Sequence, residues 1–193
     1  KKLVEILAKL PGIGPRQAVR LAFHFIRQGA GFQRELEEAV AALKNMGMCS
    51  RCFYIQENKS GLCDICEDKN RDHSVISIIE KETDLMSIES TRKFNGRYLV
   101  LGDLARGGVL EADQKLKLKS LRSWIEKELG GKAREVIIAF NPDPKGDFVA
   151  NQIANELGDC AEKISRLGVG IPSGGEIEFA DEETLGSAIE RRG

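Results

Sequence analysis

Leu3, Leu7 and Leu10 recur three to four residues apart, and the run stops at the "PGIGP" of residues 11–15. That spacing predicts an amphipathic helix closed by a turn. Val19, Ala22, Phe23 and Ile26 repeat the pattern, and Leu36, Ala39, Val40 and Leu43 repeat it again. Three helices are therefore expected before residue 48. Residues 49–66 carry no such period, and beyond them the pattern changes. "SVISIIE" (74–80), "RYLVLG" (97–102) and "EVIIAFN" (135–141) are short, β-branched and almost continuously apolar. Such runs suit strands buried on both faces of a parallel sheet. Helical stretches are expected at 84–91, 113–129 and 147–157, with a further strand at 164–169. Strand alternating with helix predicts an α/β layer structure.

Composition adds limits. The 193 residues are 41% hydrophobic and 31% charged, which suits a globular chain and not a disordered one. No apolar run approaches the ~20 residues that span a bilayer, and "KKLVEILAKL" has no signal-peptide cleavage site. An intracellular, cytoplasmic protein with no membrane partner is expected. The net charge of -1 hides a gradient: residues 1–34 sum to +6 and residues 141–193 to -6. A basic head points to a polyanion; an acidic tail points to a metal, a basic protein or plain solubility.

The basic end holds "LPGIGPRQAVRLA" (10–22). Gly12 and Gly14 allow a tight turn between helices and let backbone N–H groups approach a ligand closely. Pro15 suits the first position of the next helix, whose free N–H groups and dipole favour a phosphate. Arg16 and Arg20, four apart, share one helix face near that start. Nothing in the set is shaped to read base edges, so it is expected to clamp a nucleic-acid backbone without sequence preference. The plainer alternative is a packing corner with two solvated arginines. The stretch resembles the helix-hairpin-helix motif of DNA repair proteins.

Cys49, Cys52, Cys63 and Cys66 form a C-x2-C-x10-C-x2-C pattern. Two such turns make a tetrahedral thiolate cage, the usual closed structural zinc site. Two disulfides are the alternative, which an intracellular setting disfavours. Four protein ligands leave no open position, so this zinc is expected to hold the fold and not to do chemistry. Cys160 reads as a small buried residue, and His24 as packed or solvated.

Ligands of an open α/β sheet bind beyond the carboxyl ends of its strands. There "SIIE" delivers Glu80 and "AFNPDPKGD" delivers Asn141, Asp143 and Asp147. Carboxylates gathered from adjacent strands hold Mg2+ for phosphoryl or phosphodiester chemistry. The set resembles that of a Toprim domain, the acidic module of topoisomerases, bacterial primases and some nucleases. Glu80 matches that family's glutamate and Asp143 the second aspartate of its D-x-D motif. Asn141 replaces the first aspartate, and Lys145 falls where an acid is usual. A neutral amide and a nearby cation both lower metal occupancy. Neither tyrosine offers a nucleophile: Tyr54 lies in the cysteine loop and Tyr98 in an expected buried strand. The frame is thus expected to hold Mg2+ weakly, to attract a basic protein, or only to keep the sheet end soluble.

Hairpin, four-cysteine finger and Toprim-like domain, in that order, resemble the RecR recombination mediator family. "NGRYLVLGDL", "NPDPKGD" and "GIPSGGEIEFADEETL" (170–185) strengthen the match. The resemblance implies a helix-hairpin-helix DNA-binding domain (1–48), a zinc finger (49–73), a Toprim-like domain (74–171) and a C-terminal segment for subunit assembly (172–193). It implies a non-enzymatic mediator of recombinational DNA repair that forms a ring tetramer around double-stranded and gapped DNA. It also implies action with RecO and RecF to load RecA, with RecO on the acidic face. The competing expectation is a Mg2+-dependent Toprim nuclease or primase-like enzyme using Glu80, Asp143 and Asp147.

Overall fold

The computed structural model describes residues 1–57, 61–105 and 107–190. Residues 58–60 of the cysteine segment and 191–193 of the expected C-terminal segment lie outside that set. The chain divides into two compact units, Lys1–Met46 and Gly47–Gly193.

The first unit holds α1 (Lys2–Leu7), α2 (Pro15–Arg27) and α3 (Gly29–Ala42), the three helices expected, followed by a 3-10 turn at Leu43–Asn45. Pro15 starts α2, as the sequence predicts, and Gly14 is its extended N-cap residue. The apolar faces are less covered than periodicity suggests. Ala18 is buried, whereas Val19, Phe23 and Ile26 are 41%, 55% and 64% exposed. Periodicity identifies an apolar face but not what covers it, and a unit of this size has little interior of its own.

From Gly47 the second unit holds most of β1 (Met46–Met48), its partner strand β2 (Ile55–Glu57) and the one-turn helix α4 (Asp64–Glu67). A parallel sheet follows from β3 (Val75–Ile79), β4 (Arg97–Val100), β5 (Glu135–Ala139) and β6 (Ile164–Arg166), in the order β4-β3-β5-β6. Ile78 is in register with Leu99 on one side and Ile138 on the other. Helices α5 (Glu82–Ser90), α6 (Ala112–Glu128) and α7 (Pro144–Leu157) connect the strands, and α8 (Glu182–Glu190) follows the sheet.

Strand alternation sends Ile76, Ile78, Leu99 and Ile138 to one face, packed on Leu118, Leu121 and Ile125 of α6 and Val149 and Ile153 of α7. Ile79, Tyr98 and Val100 face the other way, against Leu85 and Ile88 of α5 and against Tyr54 and Ile65 of the cysteine segment. The connection leaving β3 therefore runs over one face and that leaving β5 over the other. The crevice between the carboxyl ends of these neighbours is the topological switch point, where open α/β sheets place ligands. Glu80 follows β3, and residues 140–143 follow β5.

Two expected elements differ by three residues at one end. Helix α7 begins at Pro144, not 147, because the Asp143 carboxylate caps it, accepting from the Gly146 N–H at 2.7 Å, with Pro144 in its first turn. Strand β6 stops at Arg166, opposite Ile138, one residue short of the end of β5. Helix α8 had no counterpart among the expected elements.

Candidate nucleic-acid interface, cysteine cluster and acidic sheet end

At the hairpin, Gly12 takes a left-handed φ of +78°, and the Ile13 N–H closes the turn on the Leu10 carbonyl at 3.1 Å. Among the described residues no side chain caps α2, so its first N–H groups are left for an outside acceptor. A Cβ on Gly14 would meet nothing within 4 Å, and its φ of -78° is ordinary. Nothing among the described residues requires glycine there; a ligand drawn close to the backbone would. Arg16 and Arg20 are exposed, with no hydrogen bond or ion pair among the described residues. Both guanidinium groups are therefore uncommitted beside the open start of α2.

Cys49, Cys52, Cys63 and Cys66 are all buried, and their sulfurs lie within 4.8 Å of one another. All five cysteines are free, so the disulfide alternative is absent. Phe53 takes a left-handed φ of 63°, and its N–H bonds to the Cys49 carbonyl at 2.9 Å, wrapping the first knuckle. Hydrogen bonding between the two thiols drives Cys49 far below the ordinary thiol range and Cys52 far above it. Four crowded sulfurs resist ionising together unless a cation binds them. Four buried, convergent soft donors fit a tetrahedral metal ion.

Arg97 lies beside this cluster and went unnoticed in the sequence. It opens β4 at 1% exposure. Its Nη2 donates to the Arg51 carbonyl at 3.2 Å, while Arg51 Nη1 donates to the Cys66 carbonyl at 3.1 Å. The guanidinium stacks 3.7 Å from the Trp124 ring centroid. Its Nε and Nη1 have no hydrogen-bond partner among the described residues. Burial pushes its pKa down to about 10, and the negative charge of the cysteine cluster pulls against that shift. A buried cation beside a tetrathiolate site offsets the negative charge that such a site carries. The one legible signal was an arginine at the head of an otherwise apolar strand.

The acidic residues do not gather as the cysteines do. Among the described residues, the cysteine group alone brings three or more potential ligand atoms together. Glu80 is 3% exposed; its Oε1 accepts the Leu104 N–H at 3.1 Å and faces Lys145 Nζ at 3.4 Å. Asp143 is spent on the α7 cap. Asp147, in the first turn of α7, pairs with Arg166 of β6. Asn141 lines a cleft of about 360 Å³ with Arg166 and Ile88, whereas Asp143 and Lys145 line another with Gly108 and Phe148. Gly146 is needed where it stands, since a Cβ there would come within 2.3 Å of the Asn141 carbonyl oxygen. The four residues singled out in the sequence thus share one sheet end but serve separate local tasks. A Mg2+ ion, which the Toprim fold implies, does not fit this set.

A helical hairpin unit joined to a Toprim-type sheet marks a class of proteins that act on DNA. Three family models match the chain: "RecR, helix-hairpin-helix" over residues 1–44, "Toprim domain" over 74–168 and "RecR, C-terminal" over 170–192. The chain is 36% identical to the recombination protein RecR of Paenarthrobacter aurescens, over all of this chain and 94% of the relative. It is 37% identical to that of Frankia alni, covering 98% and 94%, and 39% identical to that of Anaeromyxobacter dehalogenans, covering 99% and 94%. The chain belongs to the RecR family, and its role lies in recombinational DNA repair. Among the described residues no helix is long and apolar enough to cross a membrane.

Proposed function

We propose that the chain is a non-enzymatic, sequence-independent DNA clamp and mediator, active on double-stranded and gapped DNA in the bacterial cytoplasm at the nucleoid. The observation that carries this reading is the hairpin: an uncapped helix start, an open Gly14 and two unpaired arginines on one face. Each suits a phosphate and none suits a base edge. Gly12, Gly14, Arg16 and Arg20 are the DNA-binding residues of this proposal, within a binding domain of residues 1–48.

Residues 49–73 hold a structural Zn2+ through Cys49, Cys52, Cys63 and Cys66. Bound there, zinc supplies a cross-link between the two knuckles and no open coordination position. Assembly into a ring tetramer is supported by the uncovered apolar surfaces. The first unit has a groove of about 470 Å³ lined by Leu3, Phe25, Ile26, Leu36 and Val40. Phe179 and Ile189 are exposed in the 172–193 segment. Within the Toprim-like domain, residues 74–171, the acidic sheet end is the proposed seat for RecO, through Asn141, Asp143 and Asp147; Glu80 is buried and faces Lys145. RecF is the second proposed partner, and RecA loading the outcome. The Mg2+-dependent nuclease reading needs convergent carboxylates, and among the described residues no three carboxylates come together.

Fluorescence anisotropy on labelled gapped DNA tests the reading. Affinity that falls steeply with salt and ignores base sequence is expected. Binding indifferent to salt, or confined to one sequence, would overturn it.

A further inference from the structure

Four successive backbone carbonyls after β4 each accept a side-chain donor. Lys117 Nζ takes Leu101 O at 3.1 Å, and Gln114 Nε2 takes Gly102 O at 3.3 Å and Asp103 O at 3.1 Å. Lys145 Nζ takes Leu104 O at 3.3 Å. The same ammonium faces Glu80 Oε1 at 3.4 Å, and that oxygen also accepts the Leu104 N–H. One cation thus joins three segments: the end of β3, the 101–104 loop and the first turn of α7. Its two acceptors, a carboxylate oxygen and a backbone carbonyl, are the hard oxygens that Mg2+ or Mn2+ prefers.

We propose that Lys145 is a tethered substitute for a divalent ion, occupying the cation position between Glu80 and Leu104 and making this sheet end independent of metal. The inference rests on reading the acidic end as a frame that performs no metal chemistry. Glu80 is too deeply buried to be left unpaired at low cost. An ammonium carried by the chain satisfies it permanently, at full effective concentration and with no dependence on ion supply. Asp143 and Asp147 are then free to act as helix cap and Arg166 partner. A second cation brought to Glu80 would meet the lysine's charge at close range.

The test uses the zinc-loaded full chain with Mn2+ as probe, read by the loss of the free-ion electron paramagnetic resonance signal. Wild type, Lys145→Glu and Lys145→Gln are compared after circular dichroism shows that each is folded. Wild type is expected to leave Mn2+ free, and Lys145→Glu to bind it at least about tenfold more tightly, through two carboxylates and the Leu104 carbonyl. Should Lys145→Glu fail to fold, Lys145→Gln, which uncovers Glu80 without adding charge, carries the comparison. Hydrogen exchange supplies a second readout: Leu104 N–H protection is expected to fall in Lys145→Gln and to ignore Mg2+ in wild type. Mn2+ bound by wild type and lost in Glu80→Gln would overturn the inference, as would variants that bind no better than wild type. DNA left intact by a wild type that binds Mn2+ would sink this inference alone. Loss of DNA affinity with Mn2+ still excluded would sink the functional reading alone.

Discussion

Arg16 and Arg20 offer the sharpest perturbation, because their removal has a calculable signature. Both are exposed and unpaired, so replacing them with alanine is expected to move stability by no more than about 0.5 kcal/mol. Binding behaves differently. Each phosphate neutralised on duplex DNA contributes about -0.9 to the slope of log K against log salt, so Arg16→Ala with Arg20→Ala flattens the slope by about 1.8 for every hairpin engaged. Between roughly 50 and 200 mM salt, a fourfold change, wild type then loses about tenfold more affinity than the double variant. The affinity gap is wide at low salt and narrows as salt rises. Anisotropy titrations across that range on a labelled duplex read the effect directly, with thermal melting as the fold control. Parallel slopes for the two proteins, whatever their absolute affinities, would refute the assignment of these arginines to phosphates.

Two further predictions concern the second unit. Cys49→Ser is expected to lose stoichiometric zinc and to lower the melting temperature, since metal binding contributes folding free energy; full zinc content with unchanged melting would contradict the cysteine assignment. At the α5 face the Tyr98 hydroxyl donates to Glu89 Oε1 at 2.6 Å, and Arg71 pairs with the same carboxylate at 2.5 Å. Burial alone would raise the Glu89 carboxyl, but Arg71 and Tyr98 outweigh it and hold it below its ordinary range. Its stabilising contribution is therefore present above the unfolded carboxylate pKa of about 4.3 and lost as pH falls through the lower folded value. Tyr98→Phe should lower stability at neutral pH by about 1.5 to 3 kcal/mol and shrink the acid-side loss. Denaturant unfolding at pH 7 and pH 3 that showed an equal deficit at both would contradict it.

The parallel strands were legible because "SVISIIE" and "EVIIAFN" are apolar on both faces, a pattern that half-exposed strands lack. The cysteine cluster was legible because metal spacing is local. Asp143 as a cap was also within reach, since Asp followed by Pro is a helix-start signal. What the sequence could not carry is long-range pairing. The partner of Asp147 is Arg166, nineteen residues on, and Arg97 is stacked on Trp124, from a different element. Helix α8 escaped because its apolar positions are few, and periodicity placed Val19, Phe23 and Ile26 on one face without reporting what covers it.

The central claim is that this RecR-family chain holds DNA and does not cut it. End-labelled gapped DNA, incubated with Mg2+ and the zinc-loaded chain and run in parallel on native and denaturing gels, tests it most directly. Retarded DNA that is full-length under denaturing conditions is the predicted result. Shortened strands, with cutting abolished by Asp143→Ala, would contradict the account and make the acidic sheet end a working phosphodiesterase site.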